Sequence, residues 1–399
     1  MPNSYLNRKY KRSSRLWRLL KHLRPKGMPL TYRRNSVELL PEGRLFFQAL
    51  FSAIRSAEHS ILLEYYIIRA DSTGSLVADE LSKAVARGVR VMLIYDYIGC
   101  LETPTAYFDA LAMNGIELTP FNAPSFKKGL RWFDRRDHRK IAIIDGHTAF
   151  LGGFNISDKY SGVLEKSLGF RDMGFRINGT SVRELIHTFF ETWQLENGTI
   201  PQLGDSFADT AHRHRHGKAN VVIVSGSPHQ RTSYIRNAFL FSIASATEEI
   251  IIANPYFVPG PRIIRALLRA ARRGVRVRLL LPARSDVKVV LLVGRSSYSA
   301  LLHGGVEIYE MDHEILHAKV MLIDGERTVI GSANLDQRSF HRNFEVNAMI
   351  DSSSFGNEIG AVLNHDIKLA ARVLLEHHER RGVLTKLLEK LINLFGWFL

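Results

Sequence analysis

One phrase occurs twice in this chain, and any fold it adopts must build the same local unit twice. His138-Arg139-Lys140 is followed after four residues by Asp145 and six residues later by Gly152-Gly153-Phe154-Asn155; His317-Ala318-Lys319, Asp324 and Gly331-Ser332-Ala333-Asn334 repeat it at the same spacing. Five fixed residue types at about 5% background each would meet a given starting point roughly once in several million, so the repeat marks an internal duplication. The halves echo elsewhere too. Ala57 to Ile68 parallels Ala246 to Val258, Leu81 to Asp96 parallels Leu267 to Pro282, and Asn114 to Leu118 parallels Gly304 to Ile308. Each half reads strand, helix, strand, helix, strand and then a strand pair, which predicts an α/β fold of two pseudo-symmetric sandwich halves with mixed sheets.

The apolar runs after each His-x-Lys read as strands, where a period of two puts His138 with Lys140, and His317 with Lys319, on one face. Asp145-Gly146 and Asp324-Gly325 are turn dipeptides between apolar runs. Each Asp lies an odd number of residues from its His, so Asp145 and Asp324 are expected at strand ends, as scaffold carboxylates in the catalytic motif and not as general bases. The small-residue loops that follow let Asn155 and Asn334 approach a ligand closely. Two imidazoles, two ammoniums and two carboxamides suit a tetrahedral anion passing through a more highly charged five-coordinate state. Lys140, Lys319, Asn155 and Asn334 would stabilise non-bridging phosphate oxygens while one His attacks phosphorus and the other protonates the leaving oxygen. The other His residues, His147 and His313 beside the motifs included, are read as ordinary surface or core residues.

These motifs resemble the phospholipase D superfamily, whose mark is a duplicated H-x-K-x4-D followed by G-[GS]-x-N. The resemblance spans about residues 36 to 350. It implies one active site shared by both halves, and catalysis through a phosphohistidine with no metal or other cofactor. It also implies His138 as nucleophile, His317 as acid and base, and orienting carboxylates at Asp172 and Glu345, in Phe170-Arg171-Asp172 and Asn343-Phe344-Glu345.

Residues 1–35 are expected to form a basic arm, 36–200 and 220–375 the two halves, 201–219 a polar linker, and 376–399 an amphipathic helix. Net charge is +15, yet residues 1–34 hold eleven Lys or Arg and no acid, leaving +4 for the rest. Leu16, Trp17, Leu19, Leu20 and Leu23 interleave with these cations ahead of Pro25, as in a basic amphipathic helix. At the other end Leu384, Leu387, Leu388, Leu391, Ile392, Leu394 and Phe395 fall at helical spacing before Gly396-Trp397-Phe398-Leu399, a pattern suited to a membrane interface. The alternation His212-Arg213-His214-Arg215-His216 in the linker reads as a solvated loop, since its arginines disfavour a cation. Cys100 is the lone cysteine, so no disulfide forms within the chain, which suits a reducing compartment. No run reaches the roughly 18 to 20 uncharged apolar residues that cross a bilayer, and the N-terminus lacks the apolar stretch of a signal peptide. Peripheral attachment to an anionic membrane at the cytoplasmic face is therefore expected, with the arm supplying about 1 kcal/mol per charge near the surface.

Within the superfamily, Ala333 to Phe340 running into Asn343 to Asn347, and the strand Ala253 to Pro259, resemble bacterial cardiolipin synthases, in a shorter form without preceding transmembrane helices. That resemblance implies phosphatidyl transfer between two phosphatidylglycerol molecules with release of glycerol. A hydrolytic phospholipase, or a transferase with another donor or acceptor lipid, remains open. A nuclease is disfavoured, because the body apart from the arm shows no basic stripe with interleaved aromatics, so nucleic acid is not an expected partner.

Overall fold

The structure, a computed structural model, describes residues 30–124, 131–162, 169–199, 201, 217–230 and 232–382. The basic amphipathic arm before residue 30, the His-Arg alternation of the linker and the terminal apolar helix lie outside the described residues.

The first half contributes β1 (Thr31–Leu40), β2 (Ser60–Tyr65), β3 (Arg90–Asp96), β4 (Glu117–Phe121), β5 (Arg136–Asp137), β6 (Lys140–Ile144), β7 (Thr148–Gly152), β8 (Phe170–Arg171) and β9 (Gly174–Asn178). The second contributes β10 (Ala219–Gly226), β11 (Glu249–Ala253), β12 (Arg276–Pro282), β13 (Glu307–Met311), β14 (Ile315–Leu316), β15 (Val320–Ile323), β16 (Arg327–Gly331), β17 (Asn343–Asp351) and β18 (Ala371–Arg372). The spatial order is β18-β13-β12-β11-β15-β16-β17-β10-β1-β9-β7-β6-β2-β3-β4. Apart from β18 it reads the same from either edge inward. In each half three parallel strands, β2-β3-β4 or β11-β12-β13, adjoin the antiparallel catalytic pair, β6-β7 or β15-β16.

The halves' sheets are continuous. Residues 31–35, read from the sequence as the end of the arm, form the start of β1 and pair antiparallel with β10, while Ser36–Leu40 pairs with β9. The charged stretch Tyr32-Arg33-Arg34 hid this strand. Its anchor is Asn35, fully buried, whose Oδ1 accepts from the Ser181 N–H and hydroxyl.

One apolar layer runs under both halves, from Leu62, Ile141 and Ile143 through Phe189 to Leu322, Ile350, Phe355 and Leu363, and the helices Val182–Asn197 and Ser353–Leu369 supply its outer wall. On the opposite face of the first half, Phe46, Phe47 and Leu50 of the helix Gly43–Ser56 pack with Leu81 and Phe150. Burying side chains of this size stabilises by about 1.5–3 kcal/mol each, which holds the sheet rigid beneath the loops that carry the motifs.

Two short parallel pairings knit the halves a second time. β5 pairs with the start of β17, setting Asp137 against Phe344, and β8 pairs with β14, setting Arg171 against Leu316. These two pairings position the site.

Candidate active site at the junction of the halves

Each His-x-Lys lies where the chain passes from a cross-half pairing into its own half's sheet. The His138 N–H donates to Phe344 O at 2.9 Å, and the His317 N–H to Arg171 O at 2.8 Å. The ladder strands therefore begin only at Lys140 and at Val320, later than the sequence pattern suggests, because the neighbouring half takes the hydrogen bond of each His. The residue after each acceptor carbonyl is a carboxylate, and so the orienting groups are exchanged between halves. His138 Nδ1 lies 3.1 Å from Glu345 Oε2, and His317 Nδ1 2.5 Å from Asp172 Oδ2. A carboxylate only accepts, so the neighbouring carboxylate favours the proton on each Nδ1 and the lone pair on each Nε2; His317 Nδ1 also has Lys319 Nζ at 2.9 Å.

Lys140 and Lys319 are buried, each donating to the carbonyl of its own His. The two ammoniums act on one another and each acts on the other half's imidazole, so all four basic groups share one electrostatic environment. Burial, reinforced by Lys319, pulls Lys140 down to about 7, and burial also lowers Lys319. Burial depresses both imidazoles, against the pull of Glu345 on His138 and of Asp172 on His317. Burial pushes the Glu345 carboxyl up, but His138, Lys140 and Ser332 outweigh it and keep it below the ordinary value. Tyr66 sets its ring edge-on to His138 at 4.9 Å, and Tyr160 and Phe170 do so to His317, each at 5.2 Å.

Asn155 and Asn334 are buried at the ends of the small-residue loops. Asn155 Oδ1 accepts the Ile67 N–H at 3.2 Å, and the Asn155 side chain also hydrogen-bonds the Tyr160 phenol. The Asn334 N–H donates to Ser339 Oγ at 3.1 Å, and the Asn334 Oδ1 is buried with no partner among the described residues.

The Asp residues of the motif sit at the other end of the strand from the Lys. Asp145 and Asp324 have φ of +49° and +51°, and the glycines after them +67° and +65°, the tight hairpin turn that Asp-Gly favours. Asp145 accepts from the N–H groups of Glu58, His59 and Ser60 as the chain enters β2; Asp324 accepts from those of Thr247, Glu248 and Glu249 as it enters β11. Both carboxylates clamp the neighbouring strand.

Three features lay beyond the sequence reading. Glu345 is held by more than His138: Ser332 Oγ donates to it at 2.5 Å, Ser339 Oγ at 2.8 Å and Asn343 Nδ2 at 3.3 Å. Asp172 has the Met173 N–H at 2.7 Å instead. Arg139, inside the first His-x-Lys and almost wholly buried, reaches Glu64, Thr188 and Thr192 in its own half and the carbonyls of Gly226 and Glu345 in the other. The second copy has Ala318 at that position, and this asymmetry was the available signal. Arg171 forms a bidentate pair with Asp366 at 3.0 and 3.2 Å, which pins the strand that carries Asp172.

Comparison with known proteins finds the same duplication. The family profile described as "Cardiolipin synthase, PLD-like domain" matches residues 50–192 and 240–367, one segment for each half. The chain is 36% identical over 363 residues to a cardiolipin synthase of Geobacillus sp. (strain WCH70), covering 91% of this chain and 72% of that one. It is 34% identical over 364 residues to cardiolipin synthase 2 of Bacillus anthracis, covering 91% and 70%. Among solved structures, phosphatidylserine synthase of Haemophilus influenzae Rd KW20 superposes with a TM-score of 0.73 at 14% identity, over 97% of this chain and 100% of that one. The profile over both halves and the relatives at 36% and 34% identity show the family: the chain belongs to the cardiolipin synthase family with its phospholipase-D-like domains.

Proposed function

We propose that this protein makes cardiolipin by transferring a phosphatidyl group from one phosphatidylglycerol to a second and releasing glycerol. The observation that carries this reading is the exchange of carboxylates between halves, which ties each imidazole by Nδ1 and leaves two Nε2 atoms for one phosphorus. His138 Nε2 attacks the phosphorus, the bond to the glycerol oxygen breaks, and His317 gives that oxygen its proton. His317 then takes the proton from a glycerol hydroxyl of the second phosphatidylglycerol, whose oxygen displaces His138. Lys140, Lys319 and the carboxamides of Asn155 and Asn334 hold the non-bridging oxygens.

Charge balance supports opposite protonation of the two rings. Below about pH 7, where Lys140 keeps its proton, and with both imidazoles neutral, two ammoniums offset Glu345 and Asp172. A phosphodiester adds one negative charge to this dry site and favours one further proton, which the imidazole pair shares as a unit. One ring is then a nucleophile and the other an acid.

Among the described residues no helix is long and apolar enough to cross a membrane. Attachment to the lipid surface is assigned to the basic residues before residue 30 and the apolar residues from Leu384 onward, at the cytoplasmic face where anionic lipid is available to the basic segment. The test is to incubate the purified chain with phosphatidylglycerol vesicles and resolve the products. Cardiolipin with equimolar glycerol is the expected result. Phosphatidic acid alone would make the protein a hydrolase, and inertness on lipid with cleavage of single-stranded DNA a nuclease.

A further inference from the structure

The groups that handle phosphorus are nearly symmetric between the halves, but the groups that flank them are not. A two-fold site cannot by itself tell the diacylglycerol arm of a diester from its headgroup arm, so that discrimination falls to residues that break the symmetry. In the first half, Ile68 bridges Ile156, just after Asn155; in the second, Phe257 bridges Leu335, just after Asn334. The position before each bridge is Ile67 in one half and Tyr256 in the other. Tyr256 is held beside the motif loop, because Asn254 Oδ1 accepts the Leu335 N–H at 3.1 Å and the Val258 N–H donates to Leu335 O at 2.8 Å. Its hydroxyl donates to Asp286, with both carboxylate oxygens at 2.7 Å, and Ser285 Oγ adds a bond at 3.2 Å. Val258, Val290 and Val293 pack against the Tyr256 ring in a small cluster of their own.

Asp286 is exposed, and it lies near enough to Lys319 and Tyr160 for its charge to bear on both. Tyr160 in turn faces His317. An aligned carboxylate with lone pairs to spare and the Tyr160 phenol thus lie toward His317, the side on which a leaving or entering alcohol exchanges its proton. Carboxylates accept from adjacent hydroxyls of a polyol well, since each oxygen carries two lone pairs.

We propose that Asp286, aligned by Tyr256, is the specificity determinant that binds the glycerol hydroxyls of the headgroup, both of the departing glycerol and of the acceptor. The proposal rests on the cardiolipin-forming reading and names where its alcohol binds. The chemistry is unchanged: the acceptor hydroxyl loses its proton to His317, its oxygen bonds to phosphorus and the phosphorus–His138 bond breaks. What Asp286 governs is whether that hydroxyl or water is in place.

The test compares wild type, Asp286→Asn and Tyr256→Phe on phosphatidylglycerol vesicles, reading the ratio of cardiolipin to phosphatidic acid together with KM and kcat. Both variants are expected to shift the ratio toward phosphatidic acid by roughly tenfold, the factor that loss of one charge-assisted hydrogen bond carries. KM for phosphatidylglycerol should rise alongside. Products falling together at an unchanged ratio would overturn the proposal, as would a variant that lost turnover only on phosphatidylethanolamine vesicles, since that would assign Asp286 to an ammonium. Wild type that formed no cardiolipin at all would remove the underlying reading as well, so the two failures are distinguishable.

Discussion

Replacing Asp145 by Asn separates a scaffold role from a chemical one. In the native chain Oδ1 accepts from His59 and Ser60 at 2.8 and 2.9 Å, and Oδ2 accepts from Glu58 at 3.0 Å. Asn tolerates the left-handed backbone at φ +49° nearly as well as Asp, so the turn itself survives. Its carbonyl oxygen can keep the first two bonds as neutral ones, but its NH2 then faces the Glu58 N–H, donor against donor. Two bonds weakened from charged to neutral and one lost, at a half-buried position, come to about 2 kcal/mol. For a chain of this size that corresponds to a fall in Tm of about 2–4 °C. The assay is thermal unfolding by circular dichroism, paired with initial rates of cardiolipin formation well below the transition. The expected variant is less stable and turns over at close to the wild-type rate. A variant of wild-type Tm whose turnover had dropped a hundredfold would refute the reasoning and put Asp145 in the chemistry. Asp324→Asn should behave alike with a smaller loss, because the Thr247 hydroxyl, now a donor at 2.8 Å, can turn to accept from the new NH2.

His138→Ala and His317→Ala should each lower turnover by at least about 10³-fold with the fold intact, which circular dichroism and product analysis together would check. The dependence of kcat/KM on pH should be bell-shaped. Burial holds both imidazoles below their ordinary value, so the acid limb, where the free enzyme's rings gain protons, should lie below the usual imidazole range; the alkaline limb should fall where Lys140, lowered to about 7, loses its charge. Gly153→Ala would place a Cβ 2.2 Å from Asp172 Oδ1, so the carboxylate must move and His317 lose its anchor; a loss of about 10–100-fold in kcat with little change in Tm is expected. Deleting residues 1–29 should weaken binding to anionic vesicles in a flotation assay, and raised salt should weaken binding of the full chain in the same direction.

What the sequence could and could not disclose follows from how far apart the interacting residues lie along it. The hairpin turns at Asp145 and Asp324 and the His and Lys of each motif are local, and a dipeptide rule or a period of two finds them. The run of strand, helix, strand, helix and strand ahead of each motif pair was equally legible, since each element declares itself over fewer than twenty residues, whereas β1, β9, β10 and β17, which join the halves, were not read. The exchange of carboxylates was not. Glu345 stands 207 residues from His138, and Asp172 145 residues before His317. Nothing in either stretch says that β5 will pair with β17 and β8 with β14, because two-residue strands carry no periodicity. Gly153 and Ser332 show the same limit from the other side. They read alike as small residues of a loop, yet one is small because Asp172 occupies the space where a Cβ would stand, and the other supplies a hydroxyl to the longer Glu345. That difference follows from the shape of the assembled site, with a short carboxylate beside Gly153 and a long one beside Ser332. The pairs Gly153–Asp172 and Ser332–Glu345 should therefore tolerate exchange only together: Asp172→Glu alone should impair turnover by crowding His317, as Ser332→Gly alone should by leaving Glu345 short of a donor.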